Sequence, residues 1–156
     1  MLLLAAPALA QEPVGCDKFK WPVGKEMTAL RAPGLQQLST GANAATPFAA
    51  TLLLRPPQQT QLPNPPERAP KDGTFAGFVS FKTAPAGIYS VSLSAPAWID
   101  AVQDGQVLKP TSFSGVQGCD GIRKVVKFAI GAAPLILQIS NVEADHIAIA
   151  VMPATE

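Results

Sequence analysis

The chain has one histidine, His146, and two cysteines, Cys16 and Cys119, in 156 residues. A two-histidine, one-carboxylate iron site therefore cannot be assembled within one chain. Two cysteines and a distant histidine also fall short of a closed tetrahedral zinc set. A Ser-His-Asp triad would have to use His146 as its base, with Ser114 or Ser140 as the serines to weigh. The Gly-x-Ser-x-Gly turn that presents such a nucleophile is missing. Charged residues make up only 15% of the chain and the net charge is +1, which argues against the clustered basic surface of a nucleic-acid binder. Gly115, Gly118 and Gly121 suggest a backbone anion nest, but no Lys-Ser/Thr follows them in P-loop order, so they read as turn glycines. No apolar run reaches the roughly 18–20 residues that span a bilayer.

What the chain has in quantity is proline, 16 residues, and glycine, 12, a composition that suits a turn-rich β protein. Its first ten residues, MLLLAAPALA, pair a short apolar run with a small-x-small site at Ala8-Leu9-Ala10. This reads as the end of a secretory signal peptide without its basic region, with the mature chain starting at Gln11. Periplasmic or secreted localisation follows. In an exported chain, an even pair of cysteines reads as a disulfide, Cys16–Cys119. The rival is a lipoprotein anchor at Val14-Gly15-Cys16, against which Pro13 stands where an apolar residue is expected.

Residues 11–156 are expected to form a single domain. Positions 23–31 place Val23, Met27 and Leu30 on one face of a short helix, ended by Pro33-Gly34 and expected to cap an open end of the fold. Residues 34–47 read as a loop, and 48–55 as a strand. Six prolines between 56 and 73 argue for an extended surface connection and against helix. Strands are then expected at 74–82, with Gly77 marking a bulge or close packing, and from residue 87, where Tyr89, Val91 and Leu93 alternate with serines. Residues 98–103 and 106–109 pair across Asp104-Gly105, a type I′ turn signal. After turn-rich 111–121, three more strands follow. Val126, Phe128 and Ile130 point inward on the first, with Arg123, Lys124 and Lys127 read as solvated charges. Leu135, Leu137 and Ile139 point inward on the second, with Gln138 and Ser140 outward. Ile147, Ile149 and Val151 line the third, and His146 sits outward at its start.

The candidate ligand-binding residues are Trp98, Asp100 and Asp104, gathered around one hairpin. An aromatic beside carboxylates is the composition of a sugar platform with polar grips, and paired carboxylates also serve glycosidases. The structural alternative is a core tryptophan with turn aspartates. Parity puts Trp98 and Asp100 on one face, so Asp100 must either be wet or, as expected here, be held by local backbone donors at a sheet edge.

Residues 87–107, with their Gly-x-Tyr and Trp-Ile-Asp strands, and the following VVKFAIGAAPLILQIS resemble protective-antigen-like carbohydrate-binding sandwiches across about half of the chain. The resemblance implies a sandwich fold and a carbohydrate ligand; the tandem aspartates of the calcium-dependent members are absent. The segments CDKFKWP, GTFAGFV, AWID, FSGVQGC and GIRK resemble a set of small exported Gram-negative proteins, some labelled homogentisate dioxygenases. A cupin dioxygenase needs several histidines and a longer chain. The resulting expectation is an all-β protein: an antiparallel β-sandwich or jelly roll of about eight strands with one short N-terminal helix. Its expected function is a non-catalytic binding or accessory module for a glycan or a cell-envelope partner, without cofactor, metal or nucleic acid. The alternative is a structural subunit acting through a sheet face or edge, with an enzyme third.

Overall fold

The computed structural model describes residues 11–154; the expected leader, 1–10, lies outside the described residues. In chain order the elements are α1 (Gly24–Leu30), β1 (Gln36–Ser39), β2 (Ala42–Asn43), β3 (Phe48–Leu53), α2 (Pro57–Thr60), β4 (Phe75–Phe81), β5 (Gly87–Leu93), β6 (Trp98–Gln103), β7 (Gln106–Leu108), β8 (Ser112–Gly115), β9 (Lys124–Ile130), β10 (Leu135–Val142) and β11 (His146–Pro153). Most of the regular structure is strand, in two sheets. One sheet runs β1-β3-β11-β5-β9-β8 and the other β2-β4-β10-β6-β7. The inward residues of both meet in one core, with Val91, Leu93, Val126 and Phe128 from the first sheet against Val79, Phe81, Leu137 and Ile139 from the second. Alternation at period two made those inward sets legible in advance. Asp104 (φ 52°) and Gly105 (φ 73°) turn β6 into β7 with both angles positive, as a type I′ turn requires.

Two points of the expected architecture need correction. Among the described residues eleven strands form, not about eight: β1 and β2 arise within the expected loop 34–47, and β8 within turn-rich 111–121. The sheets are also mixed rather than purely antiparallel, because β1 pairs with β3, and β2 with β4, in parallel. The reason lies in the path. From β1 to β4 each strand enters the opposite sheet from the one before it, so strands two apart in sequence share both sheet and direction.

Both outer faces are covered. Helix α1 does not cap an open end. It lies on the outer face of the six-stranded sheet, packing against β11, β3 and β5. Phe19, Val23 and Leu30 bury there against Val116, Ile122, Val125 and Ala150, forming a second apolar cluster. That cover also buries Ser90 and Ser92; the Ser90 hydroxyl donates to Glu26 Oε1 at 3.3 Å. Cys16 and Cys119 form the expected disulfide, with Cα atoms 4.8 Å apart, tying this N-terminal layer to the turn between β8 and β9. Backbone bonds from Gly15 N–H to Gln117 C=O and from Gln117 N–H to Pro13 C=O, each 2.8 Å, fasten the same segment.

The proline-rich connection covers the other sheet. It holds one helical turn, α2, which the proline count argued against; Pro57 sits in the first turn, where its missing N–H costs nothing. Beyond it the chain is fastened by side chains. Gln138 Oε1 accepts the Asn64 N–H at 2.8 Å while Gln138 Nε2 donates to the Asn64 carbonyl at 3.0 Å. Asn141 Oδ1 accepts the Lys71 N–H at 2.9 Å. Gln138 and Ser140 do point outward, but this layer leaves them only 1% and 2% exposed. Gly77 packs closely, as expected: an added Cβ would lie 2.9 Å from Leu54 Cδ2. The β4–β10 register also shifts nearby, between Ile139 and Val142. No helix among the described residues is long and apolar enough to cross a membrane.

Candidate functional site

Trp98 opens β6 immediately after the corner at Pro96-Ala97 and is half-buried. It lines a cleft of about 630 Å³ with Ile99 and Asp100. Both sheets contribute walls, through Leu108 from β7 and through Phe113, Lys124 and Val126 from β8 and β9, and the proline-rich connection adds Glu67, Arg68 and Lys71. The volume is that of an ordinary small-molecule site. Phe113 is 57% exposed, so the cleft has an aromatic at its rim as well as one in its wall.

Asp100 shares the outer face with Trp98, as parity required, and is 2% exposed. It is held by a backbone donor, but neither locally nor at a sheet edge. Strand β6 lies between β10 and β7, and the donor is the Glu67 N–H of the overlying connection, 3.2 Å from Oδ2. The Trp98 indole N–H donates to Oδ1 at 2.9 Å. Asp100 thus positions Trp98 and the connection. Asp104 stays in the hairpin turn and is not among the residues lining the cleft, so the expected trio is only partly brought together.

The expectation that Arg123, Lys124 and Lys127 are solvated strand-face charges needs correction, and Arg68, on which the sequence carries no expectation, joins Lys124 at Trp98. The Arg68 guanidinium lies 4.2 Å from the Trp98 ring centroid, and the Lys124 ammonium 5.7 Å from it. Arg123 pairs with Glu12 and donates to the Val116 carbonyl at 3.0 Å. Lys127 is buried, its ammonium 4.2 Å from the Trp21 ring centroid under the N-terminal layer. Burial holds the Lys124 ammonium below the usual lysine range; Arg68 and then Arg123 push the same way, against Glu12. A signal for Lys124 was present in the alternation of β9: it shares the inward parity of Val126, Phe128 and Ile130. Arg68 had no such signal.

His146 is exposed, with Nδ1 2.9 Å from Asp145 Oδ1, and lines a separate cleft of about 460 Å³ with Arg55 and Thr51. Neither candidate serine lines it. Ser114 Oγ accepts the Lys20 N–H at 3.0 Å, and Ser140 lies opposite Trp98 in the sheet register. Among the described residues no three His, Cys, Asp or Glu side chains gather as a metal-ligand group. Gly118 and Gly121 take positive φ in the turn after β8, while Gly115 ends that strand. Comparison with protein-family models, with curated proteins and with solved structures finds no match to this chain.

Proposed function

We propose that the chain is an exported, non-catalytic binding module on a jelly-roll scaffold, and that the Trp98 cleft is its glycan-binding site. The observation that carries this is the cleft itself: a half-buried tryptophan in the wall, fixed through its indole N–H by Asp100, with an exposed phenylalanine at the rim. An aromatic ring held in place offers a stacking surface with little ordering cost. The jelly-roll reading draws on the strand order. Leaving aside the edge strands β1, β2 and β8, β3-β11-β5-β9 faces β4-β10-β6-β7, the alternation produced when paired strands roll up into two sheets. Lectin domains use that architecture, which agrees with the resemblance of residues 87–107 to carbohydrate-binding sandwiches. Export draws on the Ala8-Leu9-Ala10 site and on the Cys16–Cys119 disulfide, which suits an oxidising, non-cytoplasmic compartment.

The test is a panel of soluble neutral and acidic oligosaccharides titrated calorimetrically against the protein and its Trp98→Ala variant. At least one glycan is expected to bind, and Trp98→Ala to lose about tenfold or more in affinity while remaining folded. Absence of binding across the panel, or full binding by a folded Trp98→Ala protein, refutes the glycan site.

A further inference from the structure

We infer that the ligand of this cleft is an acidic saccharide, its ring carboxylate received between the Arg68 guanidinium and the Lys124 ammonium beside Trp98. This deepens the glycan reading and rests on it. Two cations converge on one indole from different parts of the chain: Arg68 from the proline-rich connection and Lys124 from the first position of β9, where it faces inward opposite Leu93. Among the described residues Arg68 makes no hydrogen bond or ion pair and Lys124 has no carboxylate within 4.0 Å.

The neighbouring acids are otherwise engaged or placed. Glu12 is paired with Arg123, Asp100 accepts from the Glu67 N–H and the Trp98 indole, and the Glu67 side chain is exposed on the connection. A guanidinium over an aromatic face keeps its five N–H donors available at its edge, the geometry that receives a carboxylate through two bonds. The Lys124 ammonium, half-buried and facing two guanidinium groups, is less favourable in the free protein than in water. A bound carboxylate relieves that repulsion, whereas a neutral sugar supplies no counter-charge. The same arrangement therefore provides attraction for an acid and discrimination against a neutral analogue.

The probes are a short oligogalacturonate and the same oligosaccharide with its carboxyls reduced to alcohols, titrated at low and at physiological salt. The oligogalacturonate is expected to bind more tightly by at least about tenfold, the worth of one charge-assisted hydrogen bond, and to weaken with salt. Lys124→Met and Arg68→Met should each cut the ratio of acidic to reduced-ligand affinity by about tenfold. Lys124→Met should also raise the thermal midpoint of the free protein, a readout independent of ligand. Equal binding of the two oligosaccharides, or full acidic affinity in a folded Lys124→Met protein, overturns the inference and leaves the glycan site standing. Displacement of oligogalacturonate by inorganic phosphate at matching concentration overturns it too, because the cleft would then take any oxyanion. If neither oligosaccharide binds but another glycan does, the acidic assignment alone fails; if no glycan binds, both readings fail.

Discussion

Replacing Gln138 by leucine tests whether the proline-rich layer is held to its sheet by buried side chains. Gln138 sits at the centre of β10, opposite Asp100 on one side and Phe78 on the other, and is 1% exposed. Its amide exchanges two bonds with the Asn64 backbone, at 2.8 and 3.0 Å, a side-chain imitation of a strand pair. Leucine is close in size, so no large cavity forms. Its burial contributes about 1.5–3 kcal/mol in favour of the variant. Against this, the Asn64 N–H and C=O both lose their partner under a covering layer, at about 1–3 kcal/mol each. The unpaired groups win, and the expected net loss is about 1–3 kcal/mol, limited by how readily the connection lifts to let water in. Urea unfolding should show a lower midpoint at an unchanged slope. Trypsin should cut faster after Arg68 and Lys71, which lie on the same connection. A loss below about 0.5 kcal/mol together with an unchanged cleavage rate would refute the fastening role.

The other stability predictions concern the N-terminal layer and the close packing at Gly77. The double variant Cys16→Ala/Cys119→Ala opens a cross-link spanning 103 positions; the chain-entropy model puts its worth at about 4.7 kcal/mol. Urea unfolding should register a loss of that order, and a loss under about 1 kcal/mol would show that the denatured chain is not restrained as that model assumes. Gly77→Ala places a methyl 2.9 Å from Leu54 Cδ2 and 3.1 Å from Thr40 Oγ1. Leu54 is itself buried and has little room to move, so the expected loss is about 1–3 kcal/mol, seen as a lower thermal midpoint; an unchanged midpoint contradicts it.

Local pattern alone determined several features of this protein. Alternation in residues 87–93, 124–130, 135–139 and 147–151 specified the strands and their inward faces, because side chains in a strand switch sides at every residue. Asp104-Gly105 specified its hairpin, because few other pairs accept two positive φ angles. Parity also placed Trp98 with Asp100.

Parity separates the two faces of a strand but does not say whether a second layer lies over the polar one. Gln138, Ser140 and Ser90 were therefore readable as outward and not as buried, and Asp100 as needing donors but not as taking one from an overlying layer. Only the return of residues 56–73 over one sheet and of α1 over the other decided that. Edge strands β1, β2 and β8 are short and nearly patternless; they take their conformation from the backbone ladder they join. The cleft shows the same division. Lys124 carried its inward parity in the sequence, while Arg68 lies 30 residues before Trp98 in a run whose only local signal is proline. Their meeting over one indole is a long-range contact, and it exists because the buried Asp100 and Gln138 draw that run across the sheet.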